Sequence, residues 1–140
     1  MAERSSWLRA RLGDVLPLEY GRALPAKQRR HGAVPVVSSS GITGTHDEAL
    51  VEDAAVVVGR KGNVGAVYYL EGPSWPIDTV FYTMGGPGID LKYAYYMLMV
   101  LDLSRLSRDS AVPGLNRSEY SRINVVLPSM AQQRAIAEVL

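Results

Sequence analysis

Ala54–Val58 is an unbroken run of small and β-branched residues. It is closed at once by Gly59-Arg60-Lys61-Gly62-Asn63 and followed by a second apolar run, Val64–Leu70. β-Branched side chains fit a pleated, buried surface, and a Gly-rich turn between two such runs predicts a hairpin with a loop of about five residues. This feature restricts the fold more than any other, because it commits the middle of the chain to local, antiparallel pairing. A third strand is expected over Ile77–Met84, after the turn Gly72-Pro73-Ser74-Trp75-Pro76. Strands come first and pair locally, and helical patterns follow at the side and end. The expected class is therefore α+β, with a mostly antiparallel or mixed sheet and flanking helices, not a doubly wound parallel sheet.

The flanks fill in around this hairpin. Trp7-Leu8-Arg9-Ala10-Arg11-Leu12 alternates as a half-buried strand does, until Gly13-Asp14 breaks it. Residues 19–33 are rich in Gly, Pro, Lys, Arg and Gln and read as a mobile loop. Val34–Val37 is a short strand that Pro35 confines to an edge or a strand start, and Ser38–His46 reads as a polar loop. Asp90 is placed to cap a helix running to about Ser104. Ser107–Ser118 is expected to be a loop and Arg122–Leu127 the last strand. Ser129, with Gln132 three residues on, forms a capping box that opens a helix still in progress at Leu140. Ile136 and Leu140 lie one turn apart on one face of it.

At 140 residues the chain is the size of one domain, or of one part of a longer protein. It is long enough to bury about two thirds of its unfolded surface without cross-links. It has no Cys, which excludes a disulfide scaffold, a thiol nucleophile and a Cys-ligated metal. His31 and His46 are too few for most His-based metal sites. No metal and no cofactor is expected. No run approaches the roughly 20 apolar residues of a membrane helix. Met1–Ser6 lacks the apolar core of a signal peptide, so a cytoplasmic location without membrane contact is expected. The chemistry of common enzymes is missing as well. There is no P-loop, and Gly59–Gly65 opens a strand, whereas a dinucleotide fingerprint opens a helix. No catalytic constellation is assigned. A nucleotide-binding enzyme using Gly59–Gly65 and an assembly module acting through the terminal helix stay open as alternatives.

The net charge is only +1, yet the charge is unevenly spread. Residues 1–31 carry seven basic groups against three acids; 47–53 are acidic (Asp47, Glu48, Glu52, Asp53); and Arg105, Arg108, Arg117 and Arg122 form a second basic group. Arg outnumbers Lys twelve to three. The planar Arg fork suits phosphates and guanine edges, although a charge run is often no more than a solvated face.

Five segments, in order, resemble a known family. They are Val34-Pro35-Val36-Val37-Ser38-Ser39-Ser40-Gly41-Ile42-Thr43-Gly44, Val58-Gly59-Arg60-Lys61-Gly62-Asn63-Val64-Gly65, Trp75-Pro76-Ile77-Asp78-Thr79-Val80-Phe81-Tyr82, Val112-Pro113-Gly114-Leu115-Asn116-Arg117, and Val126-Leu127-Pro128-Ser129-Met130-Ala131-Gln132-Gln133-Arg134-Ala135-Ile136-Ala137. The chain from Trp7 to Leu140 resembles the target recognition domain of the specificity subunit of type I restriction–modification enzymes. The family's closing segment usually places an acidic residue before the Gln, where this chain has Gln132-Gln133.

The resemblance implies a non-catalytic domain that reads one half of a split double-stranded DNA target. It implies DNA methylation subunits and a restriction subunit as partners. It divides the chain into a recognition domain, 1–128, and the start of a coiled-coil spacer helix, 129–140. On this reading Ser38, Ser39, Ser40 and Thr43 contact phosphates or bases, unless the serines bond only their own turn. Arg60, Lys61 and Asn63 belong to a segment shared across targets and suit the DNA backbone. Base readout falls to the freer segments, Tyr20–His31 and parts of Ser104–Ser110. Of these, Arg22, Lys27, Gln28, Arg29 and Arg30 have side chains suited to guanine and adenine edges. Gln133, Ile136 and Leu140 are expected to face a partner. A homodimer through the terminal helix is a further expectation, since identical apolar stripes are self-complementary.

Overall fold

The structure is a computed structural model and describes residues 7–108 and 112–140. The readings made at Met1–Ser6 and at Ser110 lie outside the described residues. Three sheets are built from short strands. β1 (Leu8–Arg11) pairs antiparallel with β9 (Asn124–Leu127), so the two ends of the domain are laced together. The largest sheet has the order β2-β8-β5-β6, from Glu19–Tyr20, Val80–Thr83, Ala55–Gly59 and Val67–Leu70. The third has the order β4-β3-β7, from Gly41–His46, Val34–Ser38 and Trp75–Pro76. β3 and β7 run parallel and the other pairings are antiparallel. With helices α1 (Leu12–Val15), α2 (Leu91–Leu101), α3 (Arg105–Arg108), α4 (Arg117–Ser121) and α5 (Met130–Val139), this is the expected mixed α+β architecture.

β5 explains why the sheets stack as they do. All five of its residues are buried, and successive side chains on a strand point to opposite faces. Val56 and Val58 enter the main core with Leu12, Leu16, Phe81, Leu98 and Tyr120. Val57 points the other way, to Val37, Leu70 and Val80, and joins the two larger sheets. A strand covered on both faces reads as a continuous apolar run, which is what Ala54–Val58 is.

Several local expectations are revised by tertiary pairing. Ser38–His46, read as a polar loop, contains β4, which forms a tight hairpin with β3 across Ser39-Ser40. Its glycines and threonines hide the strand, and its register slips between Val36 and Val37, leaving Thr43 on a bulge. β3 is a middle strand despite Pro35. β7 pairs only with Val36 and Val37, so Pro35 owes no amide to that neighbour. Trp75-Pro76 is a strand, not a turn, and β8 starts at Val80. The β5–β6 loop spans seven residues, because Val58 pairs with Val67 and Val64–Ala66 stay outside the ladder. Leu12 begins α1 and does not extend the first strand. Residues 19–33, expected to be mobile, are pinned. Gly21 and Arg22 donate to Val80 O and Pro76 O, Ala26–Gln28 form a 3-10 turn, and Leu24 is buried beside Val36 and Trp75. Arg105–Arg108 and Arg117–Ser121 turn helical and overlap the two ends of the Ser107–Ser118 stretch expected to be a loop.

The helix caps match the sequence. The Asp90 carboxylate accepts from Tyr93 N, although α2 ends at Leu101, where Asp102 takes a left-handed conformation (φ 52°). Ser129 and Gln132 form both halves of the capping box on α5. Gln133 was expected to face a partner, and this is corrected. Its side chain is 0% exposed, accepts from Asp90 N at 2.7 Å and donates to Gly88 O and Pro128 O at 2.9 Å. A buried amide with its polar atoms satisfied is a rivet, and it fastens α5 to the start of α2. Ile136 (37% exposed) and Leu140 (67%) lie outside this seam, on a groove shared with Tyr93, Tyr96 and Val100 of α2. Among the described residues no helix is long and apolar enough to cross a membrane.

Candidate nucleic-acid interface

Three loops distant in sequence converge at one corner of the domain. The Ser39-Ser40 turn, the β5–β6 loop and the Ile77–Thr79 turn are tied through Ser39. Its N–H donates to Thr79 Oγ1 at 3.2 Å, its Oγ accepts from Asn63 N at 3.3 Å, and its carbonyl accepts from the Tyr68 hydroxyl at 2.7 Å. Ser39 is thus buried and fully engaged, so the expectation that it contacts DNA is corrected: it holds two loops in register. Ser38 bonds its own turn, donating to Gly41 O and accepting from Ser40 N. Ser40 and Thr43 remain exposed.

The backbone of the β5–β6 loop is also committed. Arg60 N and Lys61 N both donate to Thr79 O, Gly59 N donates to Ala66 O, and Gly65 N to Gly59 O. A phosphate cradle needs free amides aimed at the ligand. These amides are spent, and the loop returns into a strand, so the geometry argues against the nucleotide-binding alternative. The side chains carry the charge. Arg60 donates from Nε and Nη2 to Asp78 O at 3.1 and 2.6 Å, and its guanidinium lies over Tyr20 and Phe81 at 5.5 and 5.9 Å. Lys61 and Asn63 are exposed.

A residue from the far end of the chain completes the corner. Arg117 lies 4.4 Å from the Tyr20 ring centroid and donates from Nη1 to Leu18 O. Tyr20 is 54% exposed and thus carries two guanidinium groups over its ring. Leu115 N donates to Arg60 O, which closes a cleft of about 210 Å³ between the β5–β6 loop and Val112–Asn116. Among the described residues the ion pairs are Arg30–Asp47, Arg30–Glu48, His46–Asp47 and Arg108–Asp102. None engages Arg60, Lys61 or Arg117, so among the described residues these three cations have no carboxylate partner.

The other expected contacts fall elsewhere. Val34 and His46 pair at the open end of the β3–β4 hairpin, roughly 13 Å from its turn at about 3.3 Å per residue. Arg30 sits there, with Nε 2.8 Å from Asp47 Oδ2 and Nη2 3.6 Å from Glu48, and its N–H donates to His46 Nδ1. The hydrogen bond from Arg30 holds the Asp47 carboxyl below its usual range. Arg30 is therefore neutralised in this state, a correction to its expected role. Arg22 lines a cleft with Asp47, Glu48 and Glu52. Arg29 donates to Leu24 O and lies against Gly44 of β4. Lys27 and Gln28 stand exposed on the 3-10 turn. The structure thus separates a basic corner from a mixed-charge loop. It adds Arg117, marked in sequence by the second basic group and the Val112–Arg117 segment, and Tyr20, which the sequence placed only at the head of the Tyr20–His31 stretch.

Small stacked sheets thus present Arg60 and Arg117 on the exposed Tyr20 ring. The family model described as "Type I restriction modification DNA specificity domain" matches residues 4–140, and the chain belongs to that family. The chain is 25% identical over 138 residues to the EcoprrI type I restriction enzyme specificity subunit of Escherichia coli, covering 94% of this chain and 34% of that protein. Its fold matches the type I restriction–modification S subunit of M. genitalium with a TM-score of 0.84 at 21% identity, over 99% of this chain and 39% of that one. It also matches the HsdS subunit of Thermoanaerobacter tengcongensis, with a TM-score of 0.73 at 16% identity, over 95% and 36%. The chain therefore spans just over a third of the length of these relatives.

Proposed function

We propose that this chain is a non-catalytic, sequence-specific double-stranded DNA recognition domain that supplies one half-site to a type I restriction–modification complex in the cytoplasm. The observation that carries this reading is the corner where Arg60 and Arg117 lie over Tyr20, with Lys61 exposed beside them and none of the three in an ion pair among the described residues. Phosphate contacts set register and carry most of the salt-dependent affinity, whereas exposed side chains on freer loops read bases. Lys61, with Arg60 in support, is the backbone contact, and Ser40, Thr43 and Asn63 flank it. Lys27 and Gln28 are the readout candidates, with Arg22 and Arg29 beside them. Arg30 joins only by exchanging Asp47 for a phosphate.

Lys61→Ala should weaken binding to all duplexes alike. One phosphate contact at about 0.1 M salt is worth about eightfold at a slope of ~0.9 per contact, and the log–log salt slope should fall by about the same ~0.9. Gln28→Ala should change which duplexes are preferred while leaving the slope alone. Fluorescence anisotropy on a panel of duplexes at several salt concentrations reads both. An affinity indifferent to salt, or a Lys61→Ala change in preference, would overturn these assignments.

Residues 129–140 are read as the first turns of a spacer helix, the frame on which methylation and restriction subunits dock. The groove at Ile136 and Leu140 is read as the seat for the matching helix of a second copy. Ile136→Asp with Leu140→Asp should then shift the protein from dimer to monomer in sedimentation. A wild-type chain that stays monomeric at high concentration would sink the dimer reading and leave DNA recognition standing.

A further inference from the structure

Arg117 reaches the Tyr20 ring from the far end of the chain. It opens α4, yet its guanidinium crosses to the β2–β8 edge, where Nη1 is tied to Leu18 O at 3.2 Å and the carbon lies 4.4 Å from the centre of the Tyr20 ring. A flexible side chain loses rotamer entropy when a partner orders it, so a cation held in place beforehand binds more tightly. Arg is suited to this, since its planar group stacks on an aromatic face and still presents several donors at its edge. Among the described residues the Arg117 side chain donates a hydrogen bond through Nη1 alone, so the remaining donors of the fork face an incoming oxygen. The cleft edged by Lys61 and Asn116 lies between the β5–β6 loop and the segment leading into Arg117.

We propose that Arg117 is a phosphate contact of the DNA interface and that Tyr20 is a positioning residue, aiming Arg117 through its ring and not contacting DNA itself. The inference rests on the DNA-recognition reading above. It extends that reading by assigning a second backbone contact from the opposite end of the chain. Arg117 and Lys61 then meet the DNA backbone from the two sides of the cleft. Arg60 acts from within, since Asp78 O takes two of its donors and Leu115 N is bonded to its carbonyl. The two loops therefore move together, which holds the two contacts in register.

The test uses the whole 140-residue chain and short random-sequence duplexes, with binding measured across salt concentrations and melting temperature measured in parallel. Arg117→Ala is expected to lose about eightfold in affinity near 0.1 M salt, with the slope lowered by ~0.9. Arg117→Lys should retain the slope, because the charge is kept. Tyr20→Phe, which keeps the ring, should match wild type. Tyr20→Leu should weaken binding, and the Tyr20→Leu/Arg117→Ala double variant should bind no more weakly than Arg117→Ala alone, as expected for residues acting through one contact. Wild-type slope in Arg117→Ala would overturn the contact while leaving DNA recognition intact, and so would an Arg117→Lys slope as low as that of Arg117→Ala at unchanged melting temperature. Additive losses would overturn the positioning role and make the Tyr20 ring a contact in its own right. No salt-dependent binding by the wild-type chain would remove the proposed function and this inference together.

Discussion

Tyr120→Ala should cost about 3–5 kcal/mol of folding free energy, the range for deleting a buried aromatic side chain. Tyr120 is 0% exposed and sits in α4, against the main core. Its hydroxyl donates to Leu16 O at 2.8 Å, which links α4 to the residue that ends α1. Removing the ring opens a cavity and leaves that carbonyl without its partner. A domain of this size is stable by about 5–15 kcal/mol, so the variant should lose about a fifth of its stability or more. Tyr120→Phe separates the two effects: the cavity is avoided, and only the stranded carbonyl remains, at about 1–3 kcal/mol. Urea unfolding compares the three proteins, and a Tyr120→Ala midpoint close to wild type would contradict this account of the core. The same hydroxyl gives a pH signature. Burial pushes it well above its ordinary value of 10.0. The unfolded chain then releases this proton first, so the contribution is fully present below that value and is lost as pH rises above it. Tyr120→Phe should flatten the alkaline decline in stability.

Gly59→Ala is the second large effect, and it joins stability to binding. A Cβ at Gly59 would stand 2.1 Å from Asn63 O and 3.3 Å from Ala66 N, both backbone atoms that the loop cannot turn aside. The loop must open, breaking the Gly59–Ala66 and Gly65–Gly59 hydrogen bonds and shifting the amides of Arg60 and Lys61 off Thr79 O. Forced overpacking of this kind typically costs about 1–3 kcal/mol. Binding should fall further. If both Lys61 and Arg117 leave register, two contacts at ~0.9 each amount to about sixtyfold near 0.1 M salt. Anisotropy and thermal melting on the same preparation decide it. Affinity within twofold of wild type at an unchanged melting temperature would mean that the closed loop does not position the contacts.

His46, buried in β4, owes its role to segments distant in the chain. The structure buries its ring edge-on to Trp75 and uses Nδ1 as the acceptor for Arg30 N. Nothing within a few residues of His46 announces either neighbour, since both arrive from other segments. The serine turn behaves the same way. The triplet Ser38-Ser39-Ser40 stood out as polar, yet its middle member is the buried one, and only the approach of Asn63 and Thr79 reveals that.

By itself the sequence determined those elements whose causes lie within a few residues of each other. The β-branched run of β5, the Asp90 cap of α2 and the Ser129–Gln132 capping box each follow from contacts or periodicities of four residues or fewer. The ordered motifs pointed to the right family for the same reason, because turn residues and caps keep their spacing along the chain. Only the tertiary structure decided which polar side chains face inward. Gln133 and Ser39 are buried because Asp90, Gly88, Asn63 and Thr79 come to meet them. Only the tertiary structure divided the arginines, giving Arg30 to Asp47, Arg60 to Asp78 O and Arg117 to the Tyr20 ring. The side chain alone does not settle whether a cation is spent or available. That depends on which groups packing brings within 4 Å of it, and those groups lie as much as 99 residues away in the chain.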